Sequence, residues 1–109
     1  MKIIRCRSFL KDLKGMKRCN HNTKIKKLNQ VIEYIKTKQL HRLTRNKHII
    51  DSVLPDCKEC HVEWDLVLIY KYEEQNLILI RIGKHDDVYK KTWANRSNWL
   101  KHLEEKRWE

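Results

Sequence analysis

Glycine and proline are scarce in this chain: 109 residues contain two glycines and one proline. That scarcity argues against disorder or low complexity across the core. Long apolar runs are also missing. No stretch nears the roughly 18 consecutive apolar residues of a membrane-spanning helix, so no membrane association is expected. No export leader is read, because residues 11–18 are polar and basic and follow only a few apolar positions. Four cysteines in a chain without such a leader read as reduced thiols in a cytoplasmic setting. No internal repeat stands out. A chain this short is expected to form one compact domain with a modest core and no large interior pocket.

Acidic residues are scarce in one place. Residues 1–50 hold 15 Lys/Arg against Asp12 and Glu33, whereas residues 51–89 hold 4 Lys/Arg against 9 Asp/Glu. The formal net charge is +11. Such an excess favours polyanionic partners: nucleic acid, a ribosome or an acidic protein. A lysine-rich solvated surface accounts for the number of lysines, but less well for the near absence of acids before Asp51.

Periodicity supplies an element order. Residues 2–7 read as an opening strand. Ser8 reads as the N-cap of a first helix with Phe9, Leu10, Leu13 and Met16 on its apolar stripe. Residues 20–23 read as a turn and cap. A second helix is expected over 24–39, where Ile25, Leu28, Ile32 and Ile35 recur at helical spacing with Val31 at the margin. Residues 40–56 are polar and basic, end in Pro55-Asp56 and read as irregular. Strands are expected over 57–63, 65–72 and 77–82, the second of them apolar enough to be central, with Gly83 closing the last. Residues 90–109 read as a separate helix carrying Trp93, Trp99, Leu100 and Leu103 on one side. The Trp set is better suited to packing than to base stacking, because the leucines share its side. The expected fold is therefore α+β: β-α-α, then a three- to four-stranded antiparallel sheet, then an extra C-terminal helix, with the helices on one face.

Chemistry concentrates around His61-Val62-Glu63-Trp64-Asp65 and Gly83-Lys84-His85-Asp86-Asp87-Val88-Tyr89. In a two-strand meander the start of one strand and the end of the next share an edge, so Asp65 and His85 are expected to converge. Imidazoles titrate near neutrality and suit proton transfer. A basic surface stabilises phosphorane charge, and an aromatic ring can hold a splayed base. Two imidazoles, a carboxylate and a phenol are the group types that RNA cleavage without a metal needs, with the 2′-hydroxyl as nucleophile. His48, thirteen residues before His61, offers a third imidazole. His21, His41 and His102 read as surface residues.

This pattern resembles the YafQ branch of the RelE superfamily, the messenger-RNA-cutting toxins of type II toxin–antitoxin modules. The branch shows a His thirteen residues before His-x-x-Pro-Asp, an apolar strand ending in Tyr, a strand closing on Gly-x-His, and an aromatic four residues later. His48, His61, Asp65, His85 and Tyr89 match that spacing, and Ser8-Phe9-Leu10-Lys11-Asp12-Leu13-Lys14 resembles the family's first helix. The resemblance spans residues 1–89, leaving 90–109 as an extension. It implies catalytic roles for His48, His61, Asp65, His85 and Tyr89. Lys58 stands where many members have Arg, and Lys47, Arg81 and Lys84 are the other candidate RNA contacts. No cofactor or metal ligand is implied. Messenger RNA, the ribosome and a cognate antitoxin, held in a hetero-oligomer, are the partners that follow from the resemblance. Trp64 departs from the pattern by replacing Pro before Asp65, and residues 49–54 lack the family's Gly-rich, Trp-containing stretch.

Three other readings compete. Cys57-Lys58-Glu59-Cys60-His61 has haem-attachment spacing, but a strand would put Cys57 and Cys60 on opposite faces. A zinc site through the same residues lacks a second paired ligand motif. A non-catalytic RNA-, ribosome- or partner-binding module on the same fold is the remaining alternative. The complete His61, Asp65, His85 and Tyr89 set favours an enzyme over it.

Overall fold

Strand β1 (Lys2–Arg5), helix α1 (Arg7–Arg18) and helix α2 (Asn22–Lys36) open the chain. A short 3-10 helix (Leu40–Arg42) and strands β2 (Thr44–His48), β3 (Lys58–Glu63), β4 (Leu66–Glu73) and β5 (Asn76–Lys84) follow. The computed structural model describes residues 2–48 and 57–88. The expected helix at 90–109 lies outside them. The five strands form one sheet in the order β1-β5-β4-β3-β2. Within β2 to β5 neighbouring strands run antiparallel, and β1 joins the edge parallel to β5.

Strand β4 sits in the middle of the sheet because Leu66, Val67, Leu68, Ile69 and Tyr70 can all be buried, on whichever face they fall. Leu66, Leu68 and Tyr70 meet Phe9 and Met16 of α1 and Leu28, Ile32 and Ile35 of α2. Val67 and Ile69 face the other way, in a second cluster with Cys6, Cys57, Ile78, Ile80 and Val88. Both helices thus cover one face, as their apolar stripes require. Leu10, expected on the stripe of α1, is exposed.

Several boundaries differ from the sequence expectation. The opening strand stops at Arg5, where Cys6 donates its N–H to Leu79 O and caps α1 with no side-chain bond. Ser8 lies inside that helix, and its hydroxyl donates to Ile80 O at 2.7 Å, tying α1 to β5 instead of capping α1. Helix α2 starts at Asn22, two residues before the periodicity begins, and ends at Lys36. Both helices close with a residue in the left-handed region, Asn20 (φ 57°) and Lys38 (φ 60°). Paired bonds accompany each: His21 N–H to Met16 O with Asn20 N–H to Lys17 O, and Gln39 N–H to Tyr34 O with Lys38 N–H to Ile35 O. Such closures usually use glycine, and here Asn and Lys carry them.

The largest departure is β2, in a stretch that reads as irregular. Thr44-Arg45-Asn46-Lys47-His48 has no apolar residue because β2 is the sheet's outer edge, where polar and charged side chains are the norm. Its ladder slips between Thr44 and Lys47, a bulge in which Arg45 takes φ 52°. Strand β5 runs one residue past Gly83, which is not a turn residue here. A Cβ at Gly83 would lie 3.2 Å from Val88 Cγ2, so the missing side chain lets the helical turn at residues 85–88 fold back onto the sheet.

Candidate functional site

Leu66 of β4 pairs with Lys84 of β5, so Asp65 and His85 each lie one step beyond the same end of the ladder. Glu63 pairs with Leu66 across β3 and β4, which makes Trp64 and Asp65 the two residues of a hairpin turn at that end. An open pocket of about 570 Å³ occupies this corner. Its walls come from the β2 bulge (Arg45, Asn46, Lys47), from β3 (Glu59, His61), from the hairpin turn (Trp64, Asp65) and from the turn after β5 (His85, Asp86).

The imidazoles of His61 and His85 have ring centroids 6.3 Å apart with planes inclined by 30°. His61 Nδ1 lies 3.0 Å from the Trp64 carbonyl oxygen. A carbonyl can only accept, so Nδ1 carries the proton and the neutral ring keeps its lone pair on Nε2. Alternation along β3 puts Glu59 on the same face as His61, two residues away. Glu59 is 1% exposed, and Lys47 Nζ meets its Oε1 at 3.1 Å. His85 lies beside the exposed Asp86 carboxylate at 3.7 Å, a loose contact that water screens.

The hydroxyl of buried Tyr70 donates to Asn46 Oδ1, reaching from the central strand to the edge bulge. Burial raises the Tyr70 phenol well above its ordinary value, with smaller contributions from Cys60 and Tyr72, so it remains a donor. Burial, aided by the neighbouring Glu59, likewise pushes the Cys60 thiol up to about 12. Cys60 packs on the helix face and Cys57 on the opposite one. That separation opposes joint ligation of haem or zinc. Among the described residues no group of three His, Cys, Asp or Glu is placed to hold a metal ion.

His61, Asp65 and His85 therefore share one pocket, with Lys47 at its wall. His48 ends β2 with its backbone opposite Lys58, whereas Thr44 is opposite His61, so His48 and His61 pair at different ends of the β2–β3 ladder. Tyr89 lies outside the described residues; the turn leading to it is helical over residues 85–88. Lys58 and Lys84 are not in the pocket lining. Neither is Arg81, whose guanidinium forms a two-pronged pair with Asp12 of α1 at 3.0 and 2.8 Å. Asp12 also accepts the Ile82 N–H at 3.1 Å. Arg45, Asn46, Glu59, Trp64 and Asp86 line the pocket without having been assigned a site role from sequence. The i, i+2 relation to His61 points to Glu59, and adjacency to Asp65 points to Trp64. Nothing in the pattern of residues 40–56 points to Arg45 or Asn46.

Comparison with known proteins gives a consistent answer. Residues 1–90 match the YafQ family, bacterial toxins of type II toxin–antitoxin systems. A metal-bound toxin from Helicobacter pylori is 32% identical with a TM-score of 0.66, the match covering 81% of this chain and 98% of that one. YafQ in the E. coli DinJ-YafQ complex is 23% identical with a TM-score of 0.71, covering 81% and 97%. A YoeB/ParE toxin from Agrobacterium tumefaciens shares the fold at 18% identity and a TM-score of 0.68, covering 78% and 99%. No curated protein sequence matches.

Proposed function

The chain belongs to the YafQ family of bacterial toxins from type II toxin–antitoxin systems, and on that premise we propose that it is an endoribonuclease that cuts messenger RNA on the ribosome. One observation carries this reading: two imidazoles face a shared pocket 6.3 Å apart, one with its tautomer set by a backbone carbonyl.

Metal-free cleavage of RNA needs two proton transfers on either side of one phosphate. In this reading His61 Nε2 accepts the proton of the 2′-hydroxyl as its oxygen attacks phosphorus. His85, protonated, gives a proton to the departing 5′-oxygen. The P–O5′ bond breaks, and the products are a 2′,3′-cyclic phosphate and a 5′-hydroxyl. Hydrogen-bond reach sets the geometric demand, and imidazoles 6.3 Å apart on different walls of the pocket suit a single phosphodiester bound between them. Lys47 and Arg45 supply positive charge beside the phosphate. Asp65 completes the acid–base set, with His48 and Tyr89 as further members by family analogy. With Arg81 committed to Asp12, the cations beside the scissile phosphate are Arg45 and Lys47, while Lys58 and Lys84, outside the pocket lining, serve flanking phosphates in this reading.

The proposed partners are translated messenger RNA, the ribosome and a neutralising antitoxin. The E. coli relative was solved with DinJ, which supports an antitoxin complex for this chain. Among the described residues no helix is long and apolar enough to cross a membrane. A cytoplasmic site of action fits a ribosome-linked substrate. Residues 1–89 would form the toxin domain, with 90–109 as its extension.

The test is induced expression of wild type beside His85→Ala, with 5′-end mapping of cellular messenger RNA. Growth arrest with new cuts inside coding regions, absent from the variant, supports the reading. A well-folded wild type that makes no cuts sinks it and leaves a binding protein on this fold.

A further inference from the structure

Trp64 is 79% exposed, an unusual state for a side chain as large as tryptophan. It contributes little to the core, since a buried indole would remove ~150–250 Å² from water. Turn chemistry does not call for it either, because two-residue hairpin turns favour Gly, Asn and Asp. Yet the ring is held. The Arg45 guanidinium carbon lies 4.7 Å from the ring centroid, a cation–π stack. Arg45 sits in the β2 bulge with φ 52°, a conformation that L side chains rarely adopt. The bulge is itself anchored from below by the Tyr70–Asn46 bond. A strained residue thus fixes an exposed aromatic at the mouth of the pocket.

One face of the indole lies under Arg45, and at 79% exposure the opposite face is open to solvent. The same residue's carbonyl orients His61. Indole and imidazole are therefore fixed relative to one another through one short turn. We infer that Trp64, backed by Arg45, is a stacking platform for the unpaired RNA base next to the scissile phosphate. This inference rests on the nuclease reading and deepens it by assigning a base-holding residue to the pocket.

The occupant follows from chemistry. A planar open face beside Arg45 and Lys47 suits a group that is aromatic and attached to an anion, which describes a nucleotide. An apolar protein helix would find one ring here, ringed by Arg45, Asp65, Asp86 and Lys47. Stacking would also select no particular base strongly, because every base has a π-face. The platform sets the position of the nucleotide more than its identity.

The experiment is binding of a short single-stranded RNA, 2′-O-methylated throughout to prevent cutting, to wild type, Trp64→Ala, Trp64→Phe and Arg45→Ala, read by fluorescence anisotropy. Trp64→Ala should weaken binding about tenfold or more, Trp64→Phe much less, and Arg45→Ala by an intermediate factor. An abasic scan of the same RNA on wild-type protein should find one position where loss of the base weakens binding. At that position Trp64→Ala should cost nothing further. Unchanged binding by Trp64→Ala, or a loss additive with every abasic position, overturns the platform while RNA cutting by wild type leaves the nuclease reading standing. Wild type that neither cuts in cells nor binds the oligonucleotide overturns both. Intact RNA binding by Trp64→Ala with loss of antitoxin binding also overturns the platform and makes Trp64 a protein-docking residue.

Discussion

The hydroxyl of Tyr70, on the central strand, donates to the Asn46 side chain in the bulge of the edge strand. The relationship links core packing to the pocket, because the bulge carries Arg45 and Lys47 to the pocket wall. Tyr70→Phe keeps the ring in the core and removes the bond. The expected loss of stability is about 1 kcal/mol, the usual net worth of one such hydrogen bond. RNA cleavage should fall by more than that loss explains, because the folded fraction barely changes while the bulge loosens. Urea unfolding and single-turnover cleavage of the same preparation measure the two effects. Equal activity per folded molecule would mean that the bond serves stability alone.

Gly83 and Val88 define a second support. A methyl at Gly83 would press on Val88 Cγ2 at 3.2 Å, and Val88 is fully buried and β-branched, so it has little freedom to turn aside. The helical turn that begins at His85 must move with it. Gly83→Ala is expected to leave the secondary structure intact and to lower cleavage about tenfold, since small displacements of a proton donor are costly. Far-ultraviolet circular dichroism and a cleavage assay decide it. Activity equal to wild type would show that Val88 yields without carrying His85 along.

Much of this arrangement is legible from sequence, and the illegible part has a physical cause. The apolar run Leu66–Tyr70 announces a strand buried on both faces, and hairpin logic then brings Asp65 to His85. Those inferences depend on side chains whose burial is recorded in their polarity. The edge strand Thr44–His48 contains no apolar residue, so its existence, its bulge and its residues Arg45 and Asn46 leave no trace in periodicity. Ser8 misleads for a different reason. Its residue type fits an N-cap, but the helix is capped two residues earlier, at Cys6, which packs in the second cluster and is bonded to Leu79. Arg81 shows the limit of reading charge as function, since only the folded chain reveals Asp12 across from it.

The Arg81–Asp12 pair makes a prediction of its own. Both side chains are largely shielded, at 14% and 16% exposure, and Asp12 also accepts the Ile82 N–H. Removing Asp12 strands a guanidinium and a backbone donor together. Asp12→Ala should cost about 1–3 kcal/mol, and Arg81→Lys should recover little of the bidentate geometry. RNA affinity of the folded, charge-removing Arg81→Gln protein should stay within about twofold of wild type, with an unchanged salt slope. A shallower salt dependence in that variant would instead make Arg81 a phosphate contact.

Cysteine chemistry separates the four thiols. Cys6, Cys57 and Cys60 are buried and Cys19 is exposed. A thiol reagent applied to native protein near neutral pH should label Cys19 quickly and the others on the timescale of opening. Alkali adds a signed test. Burial, with help from Glu59, raises Cys60 from its ordinary 9.0 to about 12 in the folded chain. Below pH 9 both states hold the proton, so the stabilisation is fully present. Above it the unfolded chain releases the proton first, and stability should fall by at most ~1.4 kcal/mol per pH unit up to the folded value. Cys60→Ala should be less stable at neutral pH because of the cavity, yet show a shallower decline above pH 9. Tyr70, also raised by burial, keeps some slope at higher pH in either protein. Parallel alkaline declines for wild type and Cys60→Ala would remove Cys60 as the cause.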